Sequence, residues 1–432
     1  MNQAATPLNA EQQLAADAFF SFLFNNDREM NIRGPGGVGK TFLMGHLIDK
    51  VLPQYFESCR LMGITSEYDE VVMTATTNKA AEVLGVATGR PTSTLHSFLN
   101  LKVQDDYSTG EQKITKTGNW YIHTRKIIFV DEASMIDHAL RVLLLEGTIG
   151  CKIVYVGDHC QCAPVKETIS PVYKSNLPSV DLTIPMRTNV PELHAINLQL
   201  RSTVETGVFQ PIQIIPGIID HLDNDRMQEE LLKTFGHQTA SSRILAYRNK
   251  RVNEYNDYIR DIRGLSLNYS VGELLINNNA IRIGKGMLSV EEEVEILEQS
   301  SSSELIQIEH DVHLEVINTT LRNGYNDTIR NVLLPVDRNH FSQLIAYYKR
   351  TKNWNRYFHL KNNYPDLRPR DAATVYKAQG STYDDVFIDL GDLSACPNPN
   401  QAARMLYVAF SRARYRVFTF GNLADRFGGL QF

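Results

Sequence analysis

Apolar runs of strand length recur along the first half of the chain, separated by stretches with helical spacing. The runs VVMTATT, KIIFVDEAS and CKIVYVGD lie around Val71, Ile127 and Ile153. Such continuous apolar runs are typical of strands buried on both faces in a parallel sheet. Each run ends in small, polar or acidic residues, and ligands of such sheets bind at this carboxyl edge. The pattern predicts an α/β domain with a site at one sheet edge.

The same pattern returns in the second half, interrupted by a segment of different character. A strand followed by a helix is predicted around Arg243, and DVFIDL and YRVFTF are predicted strands after Ala372. Between them, residues 264–370 hold short strand-like runs, the acidic stretch EEEVEILEQ and the serines 300–303. These features indicate a small β-rich insertion.

A second insertion is predicted in the first half. Residues 101–120 are polar and alternate on either side of a Ser-Thr-Gly turn, which is typical of a β-hairpin. The chain then divides into two α/β domains that each carry an insertion. The predicted ranges are 1–100 and 121–190 for the first domain, 101–120 for its hairpin, 191–263 and 371–432 for the second domain, and 264–370 for its insertion.

Composition and charge are ordinary for a folded protein. Of the 432 residues, 43% are hydrophobic and 22% are charged, and the formal net charge is −5. A protein that coats nucleic acid by bulk charge would be basic, so any DNA contact must come from a local channel. The five cysteines form no CxxC pairs, which predicts reduced thiols in a cytoplasmic compartment and no zinc site. From the apolar pattern we expect neither a signal peptide nor a membrane span.

A glycine-rich turn after the strand-like run 30–33 matches the phosphate-binding pattern GxxxxGK[ST]. Glycines let backbone N–H groups turn inward around phosphates, and the helix that follows directs the positive end of its dipole at them. The lysine reaches the β- and γ-phosphates of ATP, and the next hydroxyl binds Mg²⁺. The predicted nucleotide-binding residues are Gly34, Pro35, Gly36, Gly37, Val38, Gly39, Lys40 and Thr41.

Charged residues elsewhere complete a site for phosphoryl transfer. Asp131 and Glu132 close the apolar run IIFV, and such a pair suits one carboxylate on Mg²⁺ and one that polarises the attacking water. Arg187 and Arg412 are candidates for arginines that stabilise the departing γ-phosphoryl group. Residue type alone does not single them out, because most arginines lie on the surface.

The order and wording of the motifs resemble the superfamily 1 helicases, and within them the RecD-like (1B) branch that includes the phage Dda helicase. The matching segments cover nearly the whole chain and are LNAEQ at 8–12, the glycine-rich loop, TATTNKAA at 74–81, TSTLHSF at 92–98, DEAS at 131–134, GDHCQCAP at 157–164, TVYKAQG at 374–380 and YVAFSR at 407–412. Two positions depart from the family pattern. Cys162-Ala163 stand where Leu-Pro is commoner, and Tyr376 stands where a histidine is usual.

The resemblance implies roles for individual residues. Gln12 would read the adenine edge, Gln161 would sense the γ-phosphate, and Gly380 would join the nucleotide contacts. The implied catalytic residues are Lys40, Asp131, Glu132, Gln161, Arg187 and Arg412, with Thr41 and Asp131 as the metal ligands. The implied DNA contacts are Thr76, Asn78, Lys79, Thr94, His96, Thr374 and Lys377.

At the level of the whole chain, the resemblance implies two RecA-like domains with ATP and Mg²⁺ in the cleft between them. It implies a monomeric 5′-to-3′ DNA helicase that acts on single-stranded DNA and duplex junctions, with a single-strand-binding or other replication protein as a further partner. The hairpin 101–120 would be the pin that splits the duplex. An RNA helicase of the same superfamily and a nucleotide-switched DNA clamp without turnover are the alternatives. The intact charged residues argue against the clamp.

Basic and aromatic residues interleave between Tyr347 and Arg370, in the sequence YYKRTKNWNRYFHLKNNYPDLRPR. This composition suits a platform on which single-stranded bases stack. It also suits a packed arm whose rings, around Trp354 and Tyr357, brace the pin. A hairpin of this size is not stable alone, so a brace is required if it is to act as a wedge.

Overall fold

The computed structural model describes residues 7–164, 167–184, 190–266, 268–284, 286–324 and 326–432. The first part of the chain forms eight strands and seven α-helices among these residues. In chain order they are α1 Ala10–Phe24, β1 Glu29–Arg33, α2 Lys40–His46, α3 Leu52–Leu61, β2 Glu70–Ala75, α4 Asn78–Thr88, β3 Thr92–Thr94, α5 Leu95–Phe98, β4 Leu101–Asp105, β5 Gln112–Lys116, β6 Lys126–Asp131, α6 His138–Glu146, β7 Lys152–Gly157, α7 Pro171–Lys174 and β8 Ser179–Asp181.

Six of these strands form one parallel sheet in the order β3-β2-β6-β7-β1-β8. The strands predicted around Val71, Ile127 and Ile153 are all present in it. Side chains alternate between two apolar cores, because Phe129 contributes to one and Ile128 to the other. The carboxyl ends of β1, β6 and β7 meet at one edge, where the glycine-rich turn and the acidic pair lie.

The second part of the chain supplies the remaining elements. They are α8 Pro191–Thr206, β9 Ile212–Gln213, β10 Ile219–Leu222, α9 Asn224–Phe235, β11 Ser242–Ala246, α10 Asn249–Ile262, β12 Leu274–Asn277, β13 Ile281–Ile283, β14 Gly286–Leu288, β15 Glu293–Glu309, β16 Val312–Asn323, β17 Thr328–Pro335, α11 Arg338–Arg350, α12 Trp354–Asn363, β18 Leu367–Pro369, β19 Ala372–Thr374, β20 Tyr383–Asp389, α13 Leu390–Ser394, α14 Pro399–Phe410, β21 Ala413–Phe420 and β22 Leu430–Gln431.

A second parallel sheet has the order β10-β21-β20-β11-β19. It contains the strands predicted around Arg243, at DVFIDL and at YRVFTF. Its core includes the helix α14, in which all nine residues from Ala402 to Phe410 are buried. Two parallel α/β sheets in one chain are the architecture expected for a pair of RecA-like domains.

Antiparallel elements interrupt both sheets. The strands β4 and β5 pair as a hairpin, with Leu101 opposite Lys116. In the second half, β17-β16-β15-β12-β18 form an antiparallel sheet, and the basic-aromatic stretch that follows β17 forms the helices α11 and α12. The insertion is therefore β-rich and carries a helical arm, α11 and α12, before its last strand β18. The domain ranges drawn from the sequence remain a proposal. Every helix among the described residues is too short or too polar to cross a lipid bilayer.

Candidate active site

The glycine-rich loop between β1 and α2 needs its glycines for backbone reasons. Gly37 and Gly39 have φ values of 87° and 80°, in the left-handed region that favours glycine. A Cβ at Gly34 would collide with the carbonyl oxygen of Leu182. The Lys40 ammonium donates to the carbonyl oxygens of Gly34 and Pro35, each at 2.8 Å. The loop therefore curls around its own lysine.

The Lys40 ammonium and the acidic pair share one electrostatic environment. Burial lowers the pKa of Lys40, although three nearby carboxylates favour its charged form. Burial also raises the pKa of Asp131 to about 7, with the charge of Glu132 adding to the shift and that of Lys40 opposing it. A divalent cation beside Asp131 would favour the ionised carboxylate. The Thr41 hydroxyl and the Asp131 carboxylate are oxygen donors, which Mg²⁺ prefers, so the residues fit this metal.

Glu132 has an unusual backbone. Its φ of 52° and ψ of 42° lie in the left-handed region, which is rare for a residue with a side chain. Its carboxylate points toward Gly380, where an added Cβ would lie 3.6 Å from the Glu132 Oε1 atom. The structure thus brings the second acid of the pair next to a loop of the second parallel sheet.

The segment after β7 is held by residues of the second half. Asp158 is fully buried, pairs with Arg201 at 2.6 Å and accepts a hydrogen bond from the Tyr407 hydroxyl at 2.6 Å. Burial alone would raise the pKa of Asp158, but the positive charge of Arg201 and other nearby groups outweigh it, and the pKa is lowered. The Gln161 side-chain oxygen accepts from the Gln379 amide at 3.4 Å. These contacts join the two halves across the cleft.

Arg412 lies beside the glycine-rich loop. Its guanidinium is buried and donates to the carbonyl oxygens of Val408 and Ser381, each at 3.1 Å. A Cβ added at Gly36 would lie 3.8 Å from its Nη2 atom. Arg412 therefore lies next to the predicted phosphate site, and its role as an arginine finger stays a prediction. Arg187 lies outside the described residues.

A cavity of about 60 Å³ opens where the loop faces the second half of the chain. One of its walls is the loop from Pro35 to Val38, and others come from α8 and from the start of β21. Sequence reasoning missed several of the lining residues, which are His194, Asn197, Leu198, Arg201, Thr382, Tyr407 and Arg414. Four of them are spaced as one face of α8, at positions 194, 197, 198 and 201. Helical spacing is the signal that could have found them.

Gln12 is fully buried at the start of α1, where both ends of its amide have partners. Its nitrogen donates to the Val38 carbonyl oxygen at 3.3 Å, and its oxygen accepts from the Asn9 amide at 3.1 Å. Gln12 thus ties α1 to the glycine-rich loop. Its contact with adenine stays a prediction.

The DNA contacts implied by the resemblance fall into two groups. Thr76 follows β2, and Asn78 and Lys79 begin α4, where Lys79 is exposed and pairs with Glu82 at 3.1 Å. Thr94 caps α5 by accepting from the Ser97 amide.

His96 follows in α5, and burial lowers the pKa of its imidazole. Thr374 ends β19, and Lys377 lies in the loop after it, where its ammonium pairs with Glu291 of the insertion at 2.6 Å. That lysine is therefore already engaged within the protein, and its contact with DNA stays a prediction.

The helical arm rests on the hairpin. The Trp354 ring covers Gly110 so closely that an added Cβ would overlap it. The rings of Tyr107 and Phe358 meet edge to face with centroids 5.0 Å apart. Asn362 donates to Asp105 at 2.7 Å. Of the two predicted uses of the basic-aromatic stretch, this geometry is that of the brace.

Known proteins resemble the chain along its whole length. Residues 7–210 match the model of an AAA domain family, and residues 371–418 match that of the UvrD-like helicase C-terminal domain. The chain is 22% identical to the ATP-dependent DNA helicase dda of Enterobacteria phage T4. The alignment has a length of 456 residues and covers 95% of this chain and 98% of the relative. It is 23% identical to the uncharacterized protein R530 of Acanthamoeba polyphaga mimivirus, with 95% and 99% covered.

Among solved structures, the Pif1 helicase from Bacteroides in complex with ADP-AlF3 and ssDNA superposes with a TM-score of 0.52. That match covers 99% of this chain and 95% of the other at 14% identity, so it speaks for the fold alone. The predicted pair of RecA-like P-loop domains is confirmed by this likeness and by the two parallel sheets. Together with the order of the motifs, these matches support an ATP-dependent helicase of superfamily 1.

Proposed function

We propose that this chain is a DNA helicase that uses ATP and Mg²⁺ to move 5′-to-3′ along single-stranded DNA and to open duplexes. The observation that carries the proposal is the cleft itself. Lys40, Asp131 and Glu132 from the first domain face Arg412 from the second, which is the arrangement that phosphoryl transfer between two closing domains requires. The similarity to a phage DNA helicase supports DNA as the track.

The residues of the cleft divide the work of hydrolysis. Lys40 neutralises charge on the β- and γ-phosphates, and Arg412 adds a second positive charge from the other domain. Glu132 orients and polarises the attacking water. Thr41 and Asp131 would hold Mg²⁺, which neutralises phosphate charge when bound. Arg187 is proposed as a further arginine finger from the resemblance alone.

Movement along DNA would follow from closure of the cleft. Grip would alternate between the segment 76–79 of the first domain, with Thr94 and His96, and the segment 374–377 of the second. Gln161, which would sense the γ-phosphate, contacts Gln379, two residues beyond the second of these segments. A change at the γ-phosphate would therefore reach the DNA track through a short chain of contacts.

The hairpin of β4 and β5 is proposed as the wedge. It carries six loop residues, 106–111, and its turn is closed by a hydrogen bond from the Gly110 amide to the Asp106 carbonyl oxygen at 2.8 Å. Docking of α12 against this turn stiffens it. A stiff wedge can separate base pairs, each step of which holds ~1.4 kcal/mol of stacking.

A strand-displacement assay tests polarity and substrate together. Duplexes with only a 5′ tail should be unwound by the monomer with ATP and Mg²⁺, and duplexes with only a 3′ tail should not. ATP turnover should be stimulated by single-stranded DNA more than by RNA of the same sequence. Robust unwinding from the 3′ tail would refute the polarity, and equal stimulation by RNA would refute DNA as the preferred track. A single-strand-binding protein is a proposed partner in coating the displaced strand.

A further inference from the structure

The end of β2 is tied to the catalytic acid by one hydrogen bond. The Thr76 hydroxyl donates to the backbone carbonyl oxygen of Glu132 at 3.1 Å. The two residues face each other because β2 and β6 are parallel neighbours, with Ala75 opposite Asp131 at the last rung of the ladder. Thr76 and Glu132 are thus the first residues beyond the sheet on each strand, where backbone ladder bonds no longer hold them.

This hydrogen bond acts on a strained backbone conformation. Glu132 is held at a positive φ, which costs a non-glycine residue free energy and persists only where neighbours fix it. The direction of the Glu132 carboxylate, toward Gly380, depends on this backbone. A group that holds or releases the Glu132 carbonyl oxygen therefore changes where the carboxylate points.

Thr76 has a single hydroxyl proton to give. A threonine hydroxyl is one donor, and both a carbonyl oxygen and a phosphate oxygen are acceptors only. Thr76 opens the segment 76–79, which the proposed function assigns to the DNA backbone. Donation to a DNA phosphate and donation to the Glu132 carbonyl oxygen thus exclude each other.

We propose that Thr76 is a positioning residue that couples the binding of DNA at the segment 76–79 to the conformation of Glu132. In the DNA-free chain its hydroxyl holds Glu132 in the resting conformation. When a phosphate takes the proton, Glu132 is released and ATP turnover rises. The inference rests on the proposed function, because it needs DNA at the segment 76–79. Linkage is reciprocal for binding, so the conformation of Glu132 should in turn bias the affinity for DNA.

Substitutions at Thr76 and, as a control, within β2 separate this role from packing. Thr76→Val keeps the shape and removes the proton, and Thr76→Ser keeps the proton. The matched control is Thr74→Val, because the buried Thr74 hydroxyl makes the same kind of bond, to the Phe129 carbonyl oxygen of β6 at 2.9 Å. ATP turnover is measured without DNA and with saturating single-stranded DNA, along with the KM for ATP and the affinity for DNA.

In the Thr76→Val variant, DNA-free turnover should rise and the ratio of stimulated to DNA-free turnover should fall. One hydrogen bond corresponds to about a fivefold change in an equilibrium, so a fall of about fivefold is expected. The KM for ATP should stay unchanged, the Thr76→Ser variant should behave like the wild type, and the Thr74→Val variant should keep the wild-type ratio.

Three results would overturn the inference. They are an unchanged ratio in Thr76→Val, an equal loss of both rates, and a Thr74→Val variant that behaves like Thr76→Val. A wild-type chain whose turnover no single strand stimulates would instead refute the proposed function, so the two failures are distinguishable.

Discussion

Replacing Trp354 with alanine should uncouple duplex opening from ATP turnover. The ring of Trp354 covers the turn of the hairpin at Gly110, far along the chain from the ATP site. Truncation removes this cover, while the contact of Tyr107 with Phe358 and the bond from Asn362 to Asp105 remain. The hairpin should stay folded but dock less firmly against the arm.

The size of the effect follows from the burial of the ring. Truncation of a fully buried tryptophan costs about 3–5 kcal/mol. Because Trp354 is only half-buried, we expect a loss of ~2 kcal/mol in docking. That loss exceeds the ~1.4 kcal/mol of one base-pair step. The hairpin would therefore move away from the arm before a base pair opens. The docked fraction changes by at most ~30-fold, which bounds the loss of unwinding.

The assay measures three quantities on one variant. Unwinding of a 5′-tailed duplex should fall at least several-fold, while DNA-stimulated ATP turnover and affinity for single-stranded DNA should stay near the wild-type values. The matched control is Tyr347→Ala, because that ring lies in the same arm but is 47% exposed. If the arm were a stacking platform, loss of either ring would weaken single-strand binding by ~1–3 kcal/mol. A loss of affinity that matches the loss of unwinding would refute the brace.

A second substitution sharpens this test. Gly110→Ala would place a methyl group inside the Trp354 ring, so the ring must move. In the Trp354→Ala background this clash is gone, and only the strain of an alanine at the φ of 74° remains. The loss of unwinding in the double variant should therefore be smaller than the sum of the losses in the two single variants, since both substitutions remove the same contact. Additive losses would show that the ring and the turn act independently.

The remaining predictions concern the cleft and the track. Lys40→Ala should lower DNA-stimulated turnover by ~10²-fold or more, because an electrostatic contribution to the transition state is lost, and turnover within threefold of the wild type would refute its role. Glu132→Gln should keep ATP and DNA binding but lose hydrolysis, and a collapse of ATP affinity would contradict this. Arg412→Ala should depress kcat more than ATP affinity, by up to about 10³-fold, and normal turnover would remove it from the mechanism. Single-strand affinity should fall with salt at a slope of ~0.7 per phosphate contacted, and a flat response would mean that no backbone contacts exist.

The sequence was most informative where a local rule decides the structure. The strands around Val71, Ile127 and Ile153 are buried on both faces, and a continuous apolar run is enough to predict that. The turn at Gly37 and Gly39 needs positive φ angles, which restricts the residue type and so leaves a readable pattern.

Contacts between distant parts of the chain could not be predicted from the sequence. Arg201 meets Asp158, and Lys377 meets Glu291, through the packing of separate elements, and nothing local marks the partner. The left-handed backbone of Glu132 could not be predicted either, because a glutamate in the sequence does not indicate a positive φ. For the arm, composition allowed both a platform and a brace, and it gave no sign of the contacts with the hairpin that favour the brace.

Under the proposed function the cleft opens in every cycle, and a contact at Asp158 that is specific without being strong suits such a cleft. Removing a carboxylate and a guanidinium from water costs several kcal/mol per ion, and their attraction offsets this only in good geometry. Here the geometry is good, because Asp158 contacts both Arg201 and Tyr407 at 2.6 Å. The net gain on closure is therefore small, whereas a closed arrangement that left either charge without its partner would cost about 3–5 kcal/mol. The pair thus selects one closed arrangement and adds little to its free energy. Under the proposed function, the bound nucleotide and not the domain interface then determines how long the cleft stays closed.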